Sequence, residues 1–71
     1  MHFQRLHDLR EDQDLTQEEV GRVLGIQQTV YSRYERGIQT IPVEHLIRLA
    51  DFYKTSTDYI LGRTNNRGPI R

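Results

Sequence analysis

The chain has 71 residues, contains no cysteine and carries ten basic and ten acidic side chains, so its formal net charge is zero. A chain of this length has room for one small hydrophobic core, and the lack of cysteine excludes a disulfide framework or a thiolate metal site within it. No apolar run approaches the roughly 20 residues of a membrane-spanning helix and the start lacks the apolar stretch of a signal peptide, so we expect a soluble, cytoplasmic protein without a membrane partner.

Five short helices and no strand are predicted along the chain. The first helix runs from about His2 to Asp12, because Phe3, Leu6 and Leu9 lie on one stripe at helical spacing. A polar run over residues 11–14 marks its end.

The second helix has a clear beginning and a clear end. Thr16 is a candidate N-cap, and Glu19, three residues later, completes the pattern of a capping box. Its apolar face is supplied by Val20, Val23 and Leu24. Gly25 is expected to end the helix, because a residue without a Cβ can adopt the left-handed conformation of a tight turn.

The turn between the second and third helices is very short. Only Gly25 and Ile26 separate them, which predicts a steep crossing of the helix-turn-helix kind. Gly21 lies inside the second helix, where glycine costs about 1 kcal/mol relative to alanine, so we expect it to allow a close approach of the third helix. An accidental weak position is the alternative. The third helix then extends from Gln27, a candidate N-cap, to Gly37.

The third helix has two different faces at about 100° per residue. Val30, Tyr31 and Tyr34 fall on one side and are expected to pack, with Val30 at the boundary. The other side is polar and basic, and it consists of Gln28, Thr29, Ser32, Arg33 and Arg36.

Pro42 predicts the start of the fourth helix, in its first turn. Ile41 and Val43 are expected to anchor this start in the core. The apolar residues of the helix itself are Leu46, Leu49, Ala50 and Tyr53.

Ser56 is expected to cap a last short helix that Gly62 terminates. The chain after it is polar and contains Gly-Pro. We therefore predict one domain over residues 1–62 and a flexible tail over residues 63–71.

Charge is distributed unevenly along the chain. Between Asp8 and Glu19 there are six acidic residues and one basic residue, Arg10, whereas the segment from Arg63 onward has three arginines and no acid. Nine of the ten basic residues are arginine, which suits planar contacts with phosphates and bases. This pattern favours a nucleic-acid contact, and random scatter in a short chain is the alternative.

Two segments, LREDQDLTQEEVGRVLGIQQTVYSRYERG and LIRLADFYKTSTDYILG, together resemble the Cro and phage-repressor (Xre-type) helix-turn-helix domain. The family pattern is L-T-Q-E-E-L-A-x-x-L-G-[VI]-[ST]-x-x-x-I-S-R-Y-E-x-G, and the resemblance covers about Leu6 to Gly62. It implies an all-α, compact five-helix, lambda-repressor-like fold. It also implies binding of double-stranded operator DNA by a homodimer, with the third helix in the major groove, as a transcriptional regulator and most simply a repressor.

The resemblance also implies roles for particular residues. Gln17 is expected to contact the DNA backbone at the start of the second helix, where free N–H groups favour phosphate, and Arg36 to lie near phosphates. In this family, certain positions of the third helix reach base edges or nearby phosphates. The residues that match them here are Gln27, Gln28, Thr29, Ser32 and Arg33. Their chemistry agrees, since glutamine can pair with adenine and arginine with guanine, although such residues on an unplaced helix most often form a solvated face.

Glu35 and Arg10 match a pair that forms an internal ion pair in this family. Two positions depart from the family pattern. Tyr31 replaces a buried aliphatic residue and brings a hydroxyl that needs a partner, and Gly21 replaces the usual alanine. One hypothesis is that the two compensate, with the tyrosine occupying the space of the missing methyl.

No enzyme, cofactor, metal site or small-molecule substrate is predicted. The histidines, His2, His7 and His45, lie on separate segments without ligand spacing. Asp12 and Asp14 begin like a calcium loop, but Gln17 stands where its sharp turn needs glycine.

The main alternative to DNA binding is a protein-interaction module of the same fold, such as an antitoxin or a partner-binding adaptor. Its apolar surface would be formed by Tyr53, Tyr59, Ile60 and Ile70. Such a module would have no need of the polar outer face of the third helix.

Overall fold

Five α-helices form the protein in the computed structural model, which describes residues 3–68. They are α1 (Gln4–Asp12), α2 (Gln17–Leu24), α3 (Gln28–Glu35), α4 (Val43–Phe52) and α5 (Thr57–Ile60). No strand occurs within that range, so the predicted all-α, five-helix fold is confirmed. The predicted start of the first helix at His2 lies outside the described residues. None of the helices in residues 3–68 has the length and apolar character needed to cross a membrane.

Side chains from all five helices and the segments between them meet in one core. Tyrosines contribute much of it: three of the four are buried and the fourth, Tyr59, packs against the core from a partly buried position. This agrees with the packing predicted for Tyr31 and Tyr34 and with the place of Tyr53 among the apolar residues of the fourth helix. The buried apolar residues are Leu6, Leu9, Val20, Leu24, Tyr31, Tyr34, Ile41, Leu49, Ala50, Tyr53 and Ile60.

The capping box predicted at the start of α2 is present. Thr16 Oγ1 accepts a hydrogen bond from the Glu19 N–H at 3.1 Å, and Glu19 Oε1 accepts one from the Thr16 N–H at 2.9 Å. Two N–H groups that the helix leaves without backbone partners are thus bonded. The start of α2 is therefore fixed by local hydrogen bonds.

Gly25 ends α2 as predicted, with φ 71° and ψ 30°. The Ile26 N–H then donates to the Gly21 carbonyl at 2.9 Å and the Gly25 N–H to the Arg22 carbonyl at 3.1 Å, the two bonds of a Schellman motif. A Cβ on Gly21 would lie 3.0 Å from the Ile26 carbonyl oxygen. The close approach predicted at Gly21 therefore exists. The approaching atoms belong to the backbone of Ile26 and Gln27, just before α3 begins.

The start of α4 differs from the prediction in two respects. Pro42 occupies the N-cap position instead of the first turn. Ile41 is buried as expected, but Val43 is 71% exposed, so its predicted anchoring role is wrong. The helical period does not account for this, since Val43 lies only about 20° around the helix from Ala50. Val43 is the first residue of α4, about two turns before Ala50, and no other element of the described chain covers it there.

The segment over residues 63–68, which was predicted to be a flexible tail, is attached to the body of the domain. Arg5 donates hydrogen bonds to the Thr64 carbonyl and to Asn65 Oδ1 in this segment, and Arg67 forms an ion pair with Asp12 at 2.5 Å. These contacts connect the segment to both ends of α1, and no sequence pattern predicts them. The rest of the predicted tail, residues 69–71, lies outside the described residues.

Candidate nucleic-acid interface

The outward face of α3 carries the polar residues that the sequence predicted there. At about 100° per residue, they occupy an arc of about 140°. Ser32 is half-buried and the others are exposed. Val30, at the boundary, is partly buried and packs against the core. The outward residues are Gln28, Thr29, Ser32, Arg33 and Arg36.

One shallow, open depression brings most of the predicted site together. It is lined by Gln17, Gln28, Thr29, Ser32, Arg33 and Arg36. The first of these comes from α2 and the rest from α3 and its C-cap. Gln27 is not part of the lining; it is exposed at the N-cap position of α3, and its side chain makes no capping hydrogen bond. Gln27 therefore occupies the predicted N-cap position, but its exposed side chain does not cap the helix.

The depression carries positive charge that no acid compensates. No carboxylate belongs to its lining. Within residues 3–68, neither Arg33 nor Arg36 forms an ion pair, whereas four other arginines lie 2.5–3.6 Å from a carboxylate oxygen. A surface with two free guanidinium groups and several amide and hydroxyl groups suits phosphates and base edges. The four paired arginines are Arg10, Arg22, Arg63 and Arg67.

Glu35 lies behind this surface as a buried carboxylate. Arg10 Nε donates to its Oε2 at 2.8 Å and Arg10 Nη2 to its Oε1 at 3.3 Å, so the ion pair implied by the resemblance is formed. Burial disfavours the charged form, but the hydrogen bonds and the charge of Arg10 outweigh it and hold the pKa of Glu35 below its usual value. Because Arg10 neutralises this charge, Glu35 does not make the outer face of α3 acidic.

Gln17 links this buried pair to the depression, a contact that the sequence analysis missed. Its Nε2 donates to Glu35 Oε1 at 3.3 Å. An amide nitrogen has two hydrogens, so one N–H and the carbonyl oxygen remain for a ligand in front of α3. Gln17 and Glu35 are 18 residues apart, and no spacing pattern in the sequence pointed to their contact.

The N-terminus of α2 favours phosphate less than expected. Glu18 and Glu19 lie in its first turn, where they complement the helix dipole and repel an anion. Hydrogen bonds with the Thr16 backbone and side chain lower the pKa of Glu19, which keeps it charged. The side chain of Gln17 is therefore the better candidate for a phosphate contact at this end.

Tyr31 takes the aliphatic position of the family pattern and is fully buried. No hydrogen-bond partner for its hydroxyl is found among the described residues, and the same holds for Tyr53. Burial first, and then the charge of Glu35, raise the pKa of Tyr31 above its usual value and that of Tyr53 to about 12. The hypothesis that Tyr31 fills the space beside Gly21 is wrong, because backbone atoms of Ile26 and Gln27 occupy that space.

A family model described as helix-turn-helix matches residues 6–60, which is more than half of the chain. The chain belongs to the helix-turn-helix family. The resemblance to Cro and phage-repressor domains is confirmed, and the helix-turn-helix unit consists of α2, the turn at Gly25 and α3.

Curated relatives of this helix-turn-helix chain come from Bacillus subtilis and Vibrio cholerae. The uncharacterized HTH-type transcriptional regulator YobD of Bacillus subtilis (strain 168) is 39% identical over 69 residues, which cover 97% of the chain and 62% of the relative. The cryptic phage CTXphi transcriptional repressor RstR of Vibrio cholerae is 40% identical over 53 residues, covering 75% and 48%. The HTH-type transcriptional regulator ImmR of Bacillus subtilis (strain 168) is 36% identical over 59 residues, covering 83% and 46%.

The helix-turn-helix chain thus spans about half to three fifths of the length of these relatives. No solved structure matches it.

The apolar surface considered for a protein-interaction module is not formed as predicted. Tyr53 is 6% exposed and Ile60 is 2% exposed, so both belong to the core. Tyr59 is half-buried, with the Arg5 guanidinium 4.2 Å above its ring. Ile70 lies outside the described residues. The large apolar side chains that are exposed within residues 3–68 lie elsewhere, at Ile38, Val43, Ile47 and Phe52.

The two histidines that the structure describes lie in different settings. His7 is on the surface of α1 with Asp8 and Glu11 nearby, at 3.6 and 3.5 Å. His45 is half-buried, and its Nδ1 lies 3.4 Å from the Tyr34 hydroxyl. No group of three His, Asp or Glu side chains that could hold a metal ion occurs in the described part of the chain.

Proposed function

We propose that this helix-turn-helix chain binds double-stranded operator DNA with sequence specificity and acts as a transcriptional regulator, most simply a repressor. The lining of the depression supports this: amide, hydroxyl and guanidinium groups from two helices share one open surface without a carboxylate. Two of the relatives named above are called transcriptional regulators and one a transcriptional repressor. Operator DNA places the protein in the cytoplasm of a bacterial cell.

In this proposal α3 enters the major groove. An α-helix with its side chains is about 10–12 Å across and the groove is about 12 Å wide. The amides of Gln27 and Gln28 face adenine edges, and Arg33 faces guanine or a phosphate. Thr29 and Ser32 contact the remaining base edges. Gln17 and Arg36 hold the DNA backbone on either side, which positions the helix without reading sequence.

The operator-bound form in this proposal is a twofold homodimer. The described body measures 31 × 23 × 20 Å, so two copies side by side match half-sites about 34 Å apart, one turn of DNA. The contact between copies runs from the end of α4 through Gly62. Phe52, an exposed aromatic residue at the end of α4, supports this choice.

The test compares two glutamines with different assigned roles. Gln28→Ala should cost about 1–3 kcal/mol on the preferred operator and little on random duplex DNA, because it removes a base contact. Gln17→Ala should weaken binding to both DNAs about equally. Gln13→Ala, at an exposed position outside the depression, is the control and should change neither.

Binding is measured by fluorescence anisotropy at several salt concentrations, with an operator selected from random duplex DNA. Affinity for both DNAs should fall as salt rises, since phosphate contacts release counterions. Equal losses for Gln28→Ala and Gln17→Ala would refute the division of roles. Affinity that did not fall as salt rises would refute phosphate contacts as the main contribution to binding. The absence of binding to duplex DNA would refute the proposed function and favour an interaction module.

A further inference from the structure

The carboxylate of Glu35 has one acceptor position that its partners leave open. A carboxylate offers about four such positions, two on each oxygen. Oε1 accepts from Arg10 Nη2 and Gln17 Nε2, and Oε2 accepts from Arg10 Nε alone. The Glu35 side chain is only 5% exposed, so water has little access to Oε2. A buried charged oxygen that lacks a donor is unfavourable.

Tyr31 places a buried hydroxyl on the same helix as that position. It precedes Glu35 by four residues on α3, and residues four apart on a helix have Cβ atoms about 6 Å apart on the same face. Both side chains are buried on the inward face. No described residue lies within normal hydrogen-bond geometry of the Tyr31 hydroxyl. The hydroxyl is nevertheless close enough to the Glu35 carboxylate for a hydrogen bond between the two side chains to contribute to the pKa of each. A small movement of either side chain would complete the bond, because the hydroxyl hydrogen rotates freely about the C–O bond.

The charges around Tyr31 agree with this arrangement. Next to burial, the carboxylate of Glu35 is the largest cause of the raised pKa of Tyr31, so its field reaches the hydroxyl. Tyr53, at the end of α4, brings a second buried hydroxyl into the same region, and Glu35 also raises its pKa. The carboxylate therefore faces two neutral hydroxyls and one guanidinium.

We infer that Tyr31 is a positioning residue for DNA binding, whose hydroxyl donates to Glu35 Oε2 and so holds the carboxylate in the orientation that fixes Gln17. The hydrogen bond between Tyr31 and Glu35 does not depend on the function proposed above. Its effect on the affinity for DNA does. Gln17 has its free N–H directed to the DNA backbone only while Nε2 is bonded to Glu35. An aliphatic residue at position 31 would leave Oε2 with Arg10 as its single donor.

The experiment uses Tyr31→Phe, which removes the hydroxyl and keeps the ring in the core. Tyr34→Phe is the matched control, because it removes the same group from the same helix and its hydroxyl lies beside His45 instead of Glu35. The first measurement is the titration of the Glu35 carboxyl carbon by NMR. The other titratable groups facing Glu35, namely Arg10, Tyr31 and Tyr53, titrate at far higher pH, so the acidic transition belongs to Glu35.

The pKa of Glu35 should rise in Tyr31→Phe and stay unchanged in Tyr34→Phe, because only the first variant loses a donor to the charged form. Affinity for duplex DNA should fall about 3- to 10-fold in Tyr31→Phe, the usual effect of one hydrogen bond. In a Glu35→Gln background, Tyr31→Phe should cause no further loss. That background removes the charge to which the hydroxyl is assigned.

An unchanged pKa of Glu35 in Tyr31→Phe would overturn the inference, whatever happens to DNA binding. An equal rise in Tyr34→Phe would do the same, since it would indicate a general loosening of α3. If the unmodified protein did not bind duplex DNA, the proposed function and the positioning role would both fail. A raised pKa of Glu35 in Tyr31→Phe would then still support the hydrogen bond.

Discussion

Replacing Arg10 with methionine should separate the contribution of the buried ion pair from that of the core. The substitution keeps most of the side-chain volume and removes the hydrogen bonds that Arg10 donates to both oxygens of Glu35 and, from Nη1 at 3.0 Å, to the Leu15 carbonyl. The bond from Gln17 Nε2 to Glu35 Oε1 remains. Removing one partner of a buried pair costs about 3–5 kcal/mol, because the other charge stays buried. Arg10 retains 13% exposure, so we expect the lower end, about 3 kcal/mol.

That loss is large for a protein of this size. At 0.05–0.15 kcal/mol per residue, 71 residues give a total stability of roughly 4–11 kcal/mol. The thermal midpoint should fall by roughly 12–24 °C. Urea unfolding followed by circular dichroism at pH 7 measures the free energy, and a thermal scan measures the midpoint.

A matched control and a second substitution make this result decisive. Arg67→Met removes the ion pair with Asp12, whose two side chains are half exposed, and should change stability little because solvent screens such a pair. Arg10→Met combined with Glu35→Leu should regain most of the lost stability, since no charge then remains buried. Equal losses for Arg10→Met and Arg67→Met, or no recovery in the double variant, would refute the assignment of the loss to an unpaired carboxylate.

Two further predictions concern pH and the turn. The pKa of Glu35 is lower in the folded protein than its unfolded value of about 4.3, so its contribution to stability is present above that value and is lost as pH falls through the folded pKa. Urea midpoints should therefore drop below about pH 5 in the natural chain and less steeply in Arg10→Met; parallel curves would contradict this. Gly25→Ala should destabilise the fold by about 1 kcal/mol through backbone strain alone, since φ is 71° and no atom lies within 4 Å of the added Cβ. Urea unfolding checks it, and an unchanged midpoint would show that alanine adopts this conformation freely.

The local features of the sequence predicted local structure well. Thr16 and Glu19 specify the start of α2 through contacts three residues apart, and Gly25 specifies its end through its own backbone. The two faces of α3 follow from the helical period in the same way. In each case the chemistry that decides the structure lies within one or two turns of the residue concerned.

Contacts between distant parts of the chain escaped prediction. The hydrogen bond from Gln17 to Glu35 and the ion pair from Arg67 to Asp12 join residues whose separation has no periodic signal. The exposure of Val43 shows the same limit, since an apolar residue beside a helix start is buried only if another element covers it. Arg10 and Glu35 were paired only because of the resemblance to a family.

The inner face of α3 is held by hydrogen bonds and its outer face is exposed to solvent, so the two faces differ in how far their residues can be substituted. The inner side holds Glu35 to α1 and α2 through directional bonds, which fix the rotation of α3 more sharply than apolar contacts do. The outer residues take no part in those bonds. Under the proposed function, a library that varies only Gln28, Thr29, Ser32 and Arg33 can therefore search for new operator preferences without risk to the fold, and natural divergence of target sites can follow the same route.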